Sequence, residues 1–492
     1  MRKHQQKQIL ELLRTISQAQ SARLYADCQE GALSLCDFIE DIEGAEGAGA
    51  DTIALLIEYC ELLFKVNSGD AGEKTLRKQM IKIENSVNHD LKPGKIEIVF
   101  ISYKASMGDS LESIYRCAEA DSDFNAVWLP VPYFDRNPDG SLGSMHYEGA
   151  ESYCSDINSY DWQKYDLSKI RPDVIFFNNP YDELNNVTSV HPDFYSKNLC
   201  QYTDLLVYVP YFVGYGVARH MCTTAGCVYA QKIIVQSEDV RDTYISEYSK
   251  TYGTKFGNPK TKFIALGSPK YDTVINATKE AYPLPDEWKN RIGENKVILY
   301  NSSLAAMLND NGMYFDKLRD SFSFFSKQKD ITLWWRPHPL AQATYSSMLP
   351  ARAAEYDSII SEFMAKKTGI YDDTPLMHRA LAWSDAYYGD GSSLYALYMV
   401  TGKPMLYQIM DYRYEAENKS KKIPIHEKKE ESQAPYDPFI MESDEYSAYQ
   451  LLHDLRSEHR HEQKLSDNAL ASMDGKAGER ILLYVKKEIM NS

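Results

Sequence analysis

Two stretches decide how this chain is read: Ile331-Thr332-Leu333-Trp334-Trp335-Arg336-Pro337-His338-Pro339 and, further on, Ala386-Tyr387-Tyr388-Gly389-Asp390-Gly391-Ser392-Ser393-Leu394. Each reads as a buried strand that stops abruptly at polar residues. In the first, Pro337 and Pro339 forbid further ladder pairing, which leaves Arg336 and His338 at the strand's carboxyl end. The second turns at two glycines into an apolar helix. Strand, glycine turn, hydroxyls and helix start describe a corner that suits an anion, because unpaired N–H groups and the helix dipole point at one spot. A cation-bearing strand end beside it would suit a diphosphate. The same residues also serve to reverse a chain and cap a helix, with Ser392 or Asp390 as N-cap. Two such corners on neighbouring strands favour the binding reading, since ligands sit outside the carboxyl ends of parallel strands.

Working outward, both stretches belong to a series that opens after Pro283-Leu284-Pro285, with strands at Val297–Tyr300, at each of the two corners, and at Pro404–Tyr407. An earlier series holds strands at Ile96–Ile101, Ala126–Leu129, Val174–Phe177, Leu205–Val209, Lys232–Val235 and Phe263–Ala265. Polar or helical connections separate them, as in a parallel doubly wound sheet. Before Lys92-Pro93-Gly94 the period is helical: Ile9, Leu12, Leu13 and Ile16 share one face, and Ile53, Leu56, Ile57 and Cys60 another. The expected plan is an α/β protein. A helical region, 1–91, precedes two Rossmann-like doubly wound domains, 92–275 and 276–445, that face a cleft. Helices over 446–492 pack back across them. Residues 412 to 445, charged and proline-containing, read as a solvated loop.

The bulk composition fits that plan. A chain of 492 residues, 43% hydrophobic with 37 tyrosines, exceeds what one core usually supports. Its net charge of −16 argues against a nucleic-acid partner, which would call for a basic face. The apolar stretch Leu205 to Ala218 is too short to span a bilayer and contains Pro210, Gly214 and Gly216. Met1-Arg2-Lys3-His4 leads into an amphipathic helix and not an apolar core. The eight cysteines form no CxxC pair and no zinc spacing. A reduced, cytoplasmic protein with no cofactor and no metal is expected.

Four stretches carry a resemblance to the CDP-glycerol glycerophosphotransferase family of teichoic-acid polymerases and primases, which has the GT-B architecture. Gly267-Ser268-Pro269-Lys270-Tyr271-Asp272 resembles that family's Gly-Ser-Pro-Arg-x-Asp, and Arg336-Pro337-His338-Pro339 its Arg-Pro-His-Pro. Asp390-Gly391-Ser392-Ser393 resembles its Asp-Tyr-Ser-Ser, and Gly402-Lys403-Pro404 with Asp411-Tyr412-Arg413-Tyr414 the run that follows. The similarity covers about residues 230 to 415. The family's Trp-His-Gly-Thr-Pro segment has no counterpart: Tyr208-Val209-Pro210-Tyr211-Phe212-Val213-Gly214-Tyr215-Gly216 stands there without a histidine, and Asn301-Ser302-Ser303 replaces a common Pro-Thr pair.

The resemblance implies transfer of glycerol phosphate, or a similar phospho-alcohol, from a CDP-linked donor to a hydroxyl acceptor in cell-wall or surface polymer synthesis. The acceptor would be a polyol phosphate or a glycan- or lipid-linked chain. Arg336, His338, Asp390, Gly391, Ser392 and Ser393 are the expected donor-diphosphate residues, with His338 also catalytic. Arg336 has a second reading, facing a structural carboxylate, and Asp390 suits capping better than anion contact, because like charges repel. For the base that activates the acceptor, His220 and Asp109 are the candidates, followed by His191 beside Pro192. Two other classes stay open: a GT-B glycosyltransferase using a nucleotide-sugar, and a catalytically silent nucleotide-binding or scaffold protein. The helices of 1–91 suit ordinary packing or self-association into a homo-oligomer. Arg2, Lys3, Lys7, Arg14 and Arg23 leave peripheral contact with the inner face of the cell membrane as the other option.

Overall fold

The computed structural model describes residues 1–492 apart from 45, 138, 154–156, 186, 215, 309–313, 340, 375, 409–447, 458–472 and 492. The run Asp411-Tyr412-Arg413-Tyr414 and the loop expected over 412 to 445 therefore lie outside the described residues.

Four helices come first: α1 (Lys3–Ser21), α2 (Tyr25–Glu43), α3 (Ala50–Asn67) and α4 (Glu73–His89). They share one core, to which α1 contributes Ile9, Leu13 and Ile16 at helical spacing. On α3 the buried residues are Thr52, Leu56, Tyr59 and Leu63, while Ile57 is 49% exposed, so the face expected from Ile53, Leu56, Ile57 and Cys60 is rotated. Apolar residues surround this helix, and their period does not fix its orientation. Polar pairs do: the Tyr59 hydroxyl donates to Gln20 Oε1 at 2.8 Å, and Thr52 shares a 2.7 Å hydrogen bond with Ser86.

The chain then runs through β1 (Ile96–Ser102), α5 (Glu112–Ala120), β2 (Phe124–Pro130), β3 (Tyr133–Arg136), β4 (Leu142–His146), β5 (Val174–Phe177), β6 (Thr188–Val190), β7 (Leu205–Tyr208), β8 (Lys232–Val235) and β9 (Phe263–Ala265). Six of these strands form a wholly parallel sheet in the order β2-β1-β5-β7-β8-β9. β5 and β7 are buried along their whole length, which is why they read as unbroken apolar runs. The antiparallel side sheet β4-β3-β6 was not foreseen. Its strands are three to five residues long; β3 and β4 are half-buried or exposed, and buried β6 reads Thr188-Ser189-Val190, so none carries an apolar run to detect.

A second parallel sheet follows, from β10 (Lys296–Ser302), β11 (Ile331–Pro337), β12 (Gly369–Tyr371), β13 (Ala386–Gly389) and β14 (Met405–Tyr407), in the order β12-β11-β10-β13-β14. The architecture is thus mixed α/β with two parallel, doubly wound sheets. One expectation needs correction: Pro337 does not end the pairing of β11. It lies in register with Ser302, and the next N–H, that of His338, donates to Ser302 O at 3.0 Å. Alternate residues of a parallel strand bond to opposite neighbours. The N–H that proline lacks falls on the β12 side, where the last ladder bond runs from Asp372 N to Trp335 O.

The helix Ala448–Arg456 places Leu451 and Leu452 in the core beneath the second sheet. The helix Ala477–Asn491 returns to the first, setting Ile481, Leu482, Val485 and Ile489 against Ile114, Ala118 and Trp128. No helix among the described residues is long and apolar enough to cross a membrane.

Candidate functional site

Each parallel sheet has a point where the strand order reverses, and ligands of such sheets sit outside the carboxyl ends there. In the second sheet the point lies between β10 and β13, with β11 on the other side of β10. Asn301 occupies it and joins both corners. Its Nδ2 donates to Arg336 O at 2.9 Å, and its Oδ1 accepts from the Ser392 hydroxyl at 2.8 Å. The fit is close enough to demand glycine opposite. Gly389 has φ +149°, and a Cβ there would lie 2.3 Å from Asn301 O.

Around this core most of the expected donor residues are committed to internal partners. Arg336, 5% exposed, donates to Asp372 Oδ2 at 2.6 Å and to Thr374 O at 2.6 Å. Of its two readings the structure realises the structural carboxylate, which also takes the Trp334 indole N–H at 3.0 Å. Asp390, 4% exposed, accepts the Ser303 N–H at 2.7 Å and is ion-paired with buried Lys317. Its charge is thereby neutralised, and it orients the corner. Gly391 packs against the Tyr407 ring, so closely that a Cβ would meet that ring at 2.3 Å. Ser392 is the N-cap of the helix Ser393–Met399, with its hydroxyl accepting from Tyr395 N at 3.3 Å. At the surface of the corner His338 is half-buried and Ser393 exposed. Burial lowers the His338 pKa below the ordinary imidazole value, so the ring is neutral near pH 7.

In the first sheet the strand order reverses between β1 and β5. Asn178, just past β5, donates through Nδ2 to Met107 O at 3.0 Å, Ser110 Oγ at 3.2 Å and Ser102 Oγ at 3.3 Å. These bonds shape the 3-10 turn Ala105–Ser110 that carries Asp109. Both Asp109 oxygens accept from Lys270 Nζ at 2.6 Å, and Lys270 belongs to the connecting helix Pro269–Ile275. A third partner comes from the second sheet's side. His378, on the helix Met377–Trp383 that follows β12, places Nε2 4.0 Å from Asp109 Oδ2. Tyr282 stacks on its ring at 5.8 Å. Burial lowers the His378 pKa; Asp109 opposes this, and Lys270 and Arg336 reinforce it. The reversal point of the first sheet thus meets the helix that follows β12 through a carboxylate, an ammonium and an imidazole contributed by three separate elements.

The other base candidates lie apart. His220 is exposed on the turn Arg219–Thr223, and among the described residues no hydrogen bond, ion pair or ring contact joins it to Asp109. His191 caps a 3-10 turn by accepting Asp193 N at 3.3 Å and packs against Phe134, Trp162 and Phe194. Sequence reasoning missed Asn301, Lys317 and His378. Asn301 stood out only as a departure from a resembling motif, and His378 carries no local signal at all. Among the described residues no group of three or more His, Cys, Asp or Glu is placed to hold a metal ion.

No family model and no curated protein sequence matches the chain. Solved structures similar to it include a UDP-N-acetylglucosamine 2-epimerase, at 11% identity over 81% of this chain and 97% of that one, with a TM-score of 0.47. The wall teichoic acid polymerase TagF is 13% identical over 90% of this chain and 98% of that one, TM-score 0.46. A structure of S. aureus MnaA with UDP is 11% identical over 80% and 97%, TM-score 0.46.

Proposed function

We propose that this chain is a transferase that takes a nucleotide-diphosphate-linked donor at the second sheet, and that the group transferred is glycerol phosphate or a similar phospho-alcohol from a CDP-linked donor to a hydroxyl acceptor. The observation that carries the reading is the corner built on Asn301, which locks the His338 strand end and the Ser392-Ser393 turn to each other across β10. A diphosphate laid over it would meet the His338 imidazole on one side and the Ser393 hydroxyl on the other. Arg336, Asp390 and Ser392 would position these groups without touching the donor. In an in-line displacement, charge develops on the bridging oxygen as CMP leaves. Preorganised donors aimed at that oxygen lower the barrier; in an acyl-transfer oxyanion hole, removal of one such donor costs ~2.7–4 kcal/mol.

Calorimetric titration with CMP, CDP, CDP-glycerol, UDP, GDP and UDP-sugars tests the reading. Selective cytidine binding that His338→Ala and Ser393→Ala weaken is the expected outcome. A preference for UDP or GDP would move the chain to nucleotide-sugar chemistry, and no nucleotide binding would leave a scaffold.

A further inference from the structure

We propose that His378 is the group that accepts the proton of the incoming hydroxyl, oriented by Asp109 from across the boundary between the two sheets; this rests on the transferase reading above. The side chain lies at the carboxyl end of the second sheet, one residue into the helix that follows β12 and its turn, and faces the reversal point of the first. Its Nε2 is buried without a hydrogen-bond partner. A buried polar atom left in that state calls for a reason, and a partner that tightens only when substrate binds supplies one.

Asp109 itself is poorly placed to be the base, because both of its oxygens already accept from Lys270. It is well placed to orient one. With Nε2–H directed at Asp109, the lone pair resides on Nδ1, and the 4.0 Å separation becomes a hydrogen bond on a closure of about 1 Å. The charged groups around the ring are Asp109 on the turn after β1, Lys270 on the connecting helix and Arg336 on β11, with the Tyr282 ring stacked against it. The two cations and burial keep the imidazole neutral before reaction, and the carboxylate stabilises the imidazolium formed during it. In the step, the His378 lone pair takes the hydroxyl proton while the hydroxyl oxygen forms a bond to the distal phosphorus. The bond from that phosphorus to the bridging oxygen breaks, CMP leaves with the electron pair, and the proton passes from the imidazolium to water.

The test uses the full chain with CDP-glycerol as donor and glycerol as surrogate acceptor. His378→Ala and His378→Gln are expected to lower kcat by at least ~100-fold, with the calorimetric Kd for CDP-glycerol within about threefold of the parent. Added imidazole restores turnover to the alanine variant, which a merely structural role would not allow. Asp109→Asn shifts the acidic limb of the pH–rate profile without abolishing it. Should both His378 variants fail to fold, carbethoxylation of the unmodified protein serves instead: loss of turnover must track modification of His378 by mass and be prevented by donor plus acceptor. Turnover that survives either variant, a folded alanine variant that imidazole does not rescue, or inactivation that does not follow His378 overturns the proposal alone. An unmodified protein that binds no nucleotide overturns the transferase reading as well.

Discussion

At the scale of single residues, the site is held by charges that satisfy one another inside the protein. Lys317 and Asp390 are each about 5% exposed and pair with each other. Removing one partner of such a pair leaves an uncompensated buried charge, which costs about 3–5 kcal/mol. Lys317→Met is therefore expected to lower the unfolding free energy by roughly that amount, measured by urea denaturation. The double variant Lys317→Met/Asp390→Asn should recover part of it, because no buried charge remains. A second prediction concerns acid. Burial lowers the pKa of His378 and of His338 below the ordinary 6.5. As pH falls through 6.5, the unfolded chain gains protons that the folded chain refuses, so stability falls on acidification. Urea midpoints measured from roughly pH 7 to 5 should decline, and less steeply in His378→Gln.

At the scale of elements, one device recurs beside both sheets. The Lys403 ammonium donates to Leu381 O at 2.8 Å and Ser384 O at 2.6 Å, at the end of the helix Met377–Trp383. The Lys262 ammonium does the same at the end of the helix Ala225–Tyr229, donating to Val228 O at 2.9 Å and Ala230 O at 2.5 Å. Terminal carbonyls without partners inside the helix find a cation that also matches the dipole. Lys403→Met should cost about 1.5–3 kcal/mol of stability. It should also loosen the helix that carries His378, seen as faster amide exchange across 377–383. The β10–β13 contact is stricter still. Gly389→Ala puts a methyl group 2.3 Å from Asn301 O at φ +149°. The expected result is a folded but destabilised protein that has lost donor affinity, read by thermal melting and by calorimetry with CDP-glycerol.

At the scale of the whole molecule, Asp272 is the fastener. Its carboxylate, 2% exposed, accepts from Ala477 N at 2.9 Å and Gly478 N at 2.8 Å, and from the Ser113 hydroxyl at 2.9 Å. The connecting helix, α5 and the start of the C-terminal helix are thus tied at one point. The charge also suits the amino end of that helix. Asp272→Ala should cost about 1–3 kcal/mol and free the last helix first, which hydrogen exchange over 477–491 would detect.

The sequence by itself determined the strands of the first parallel sheet and four of the five in the second, because a strand covered on both faces must be apolar throughout and shows as a run such as Val174–Phe177, whereas the edge strand β12 is only Gly369-Ile370-Tyr371 and shows no such run. It also showed the Arg336–His338 strand end and the Gly389–Ser393 corner, since prolines and glycines mark such ends locally. Only the tertiary structure decided what those residues do. Arg336 finds Asp372 36 positions away, Asp390 finds Lys317 at 73 and Asp109 finds Lys270 at 161. It likewise decided the face that α3 buries, the short side sheet and the place of His378. A strand's burial is written in its own residues, whereas an ion pair is fixed by which distant elements the packing brings within a few ångströms, and no local pattern encodes that.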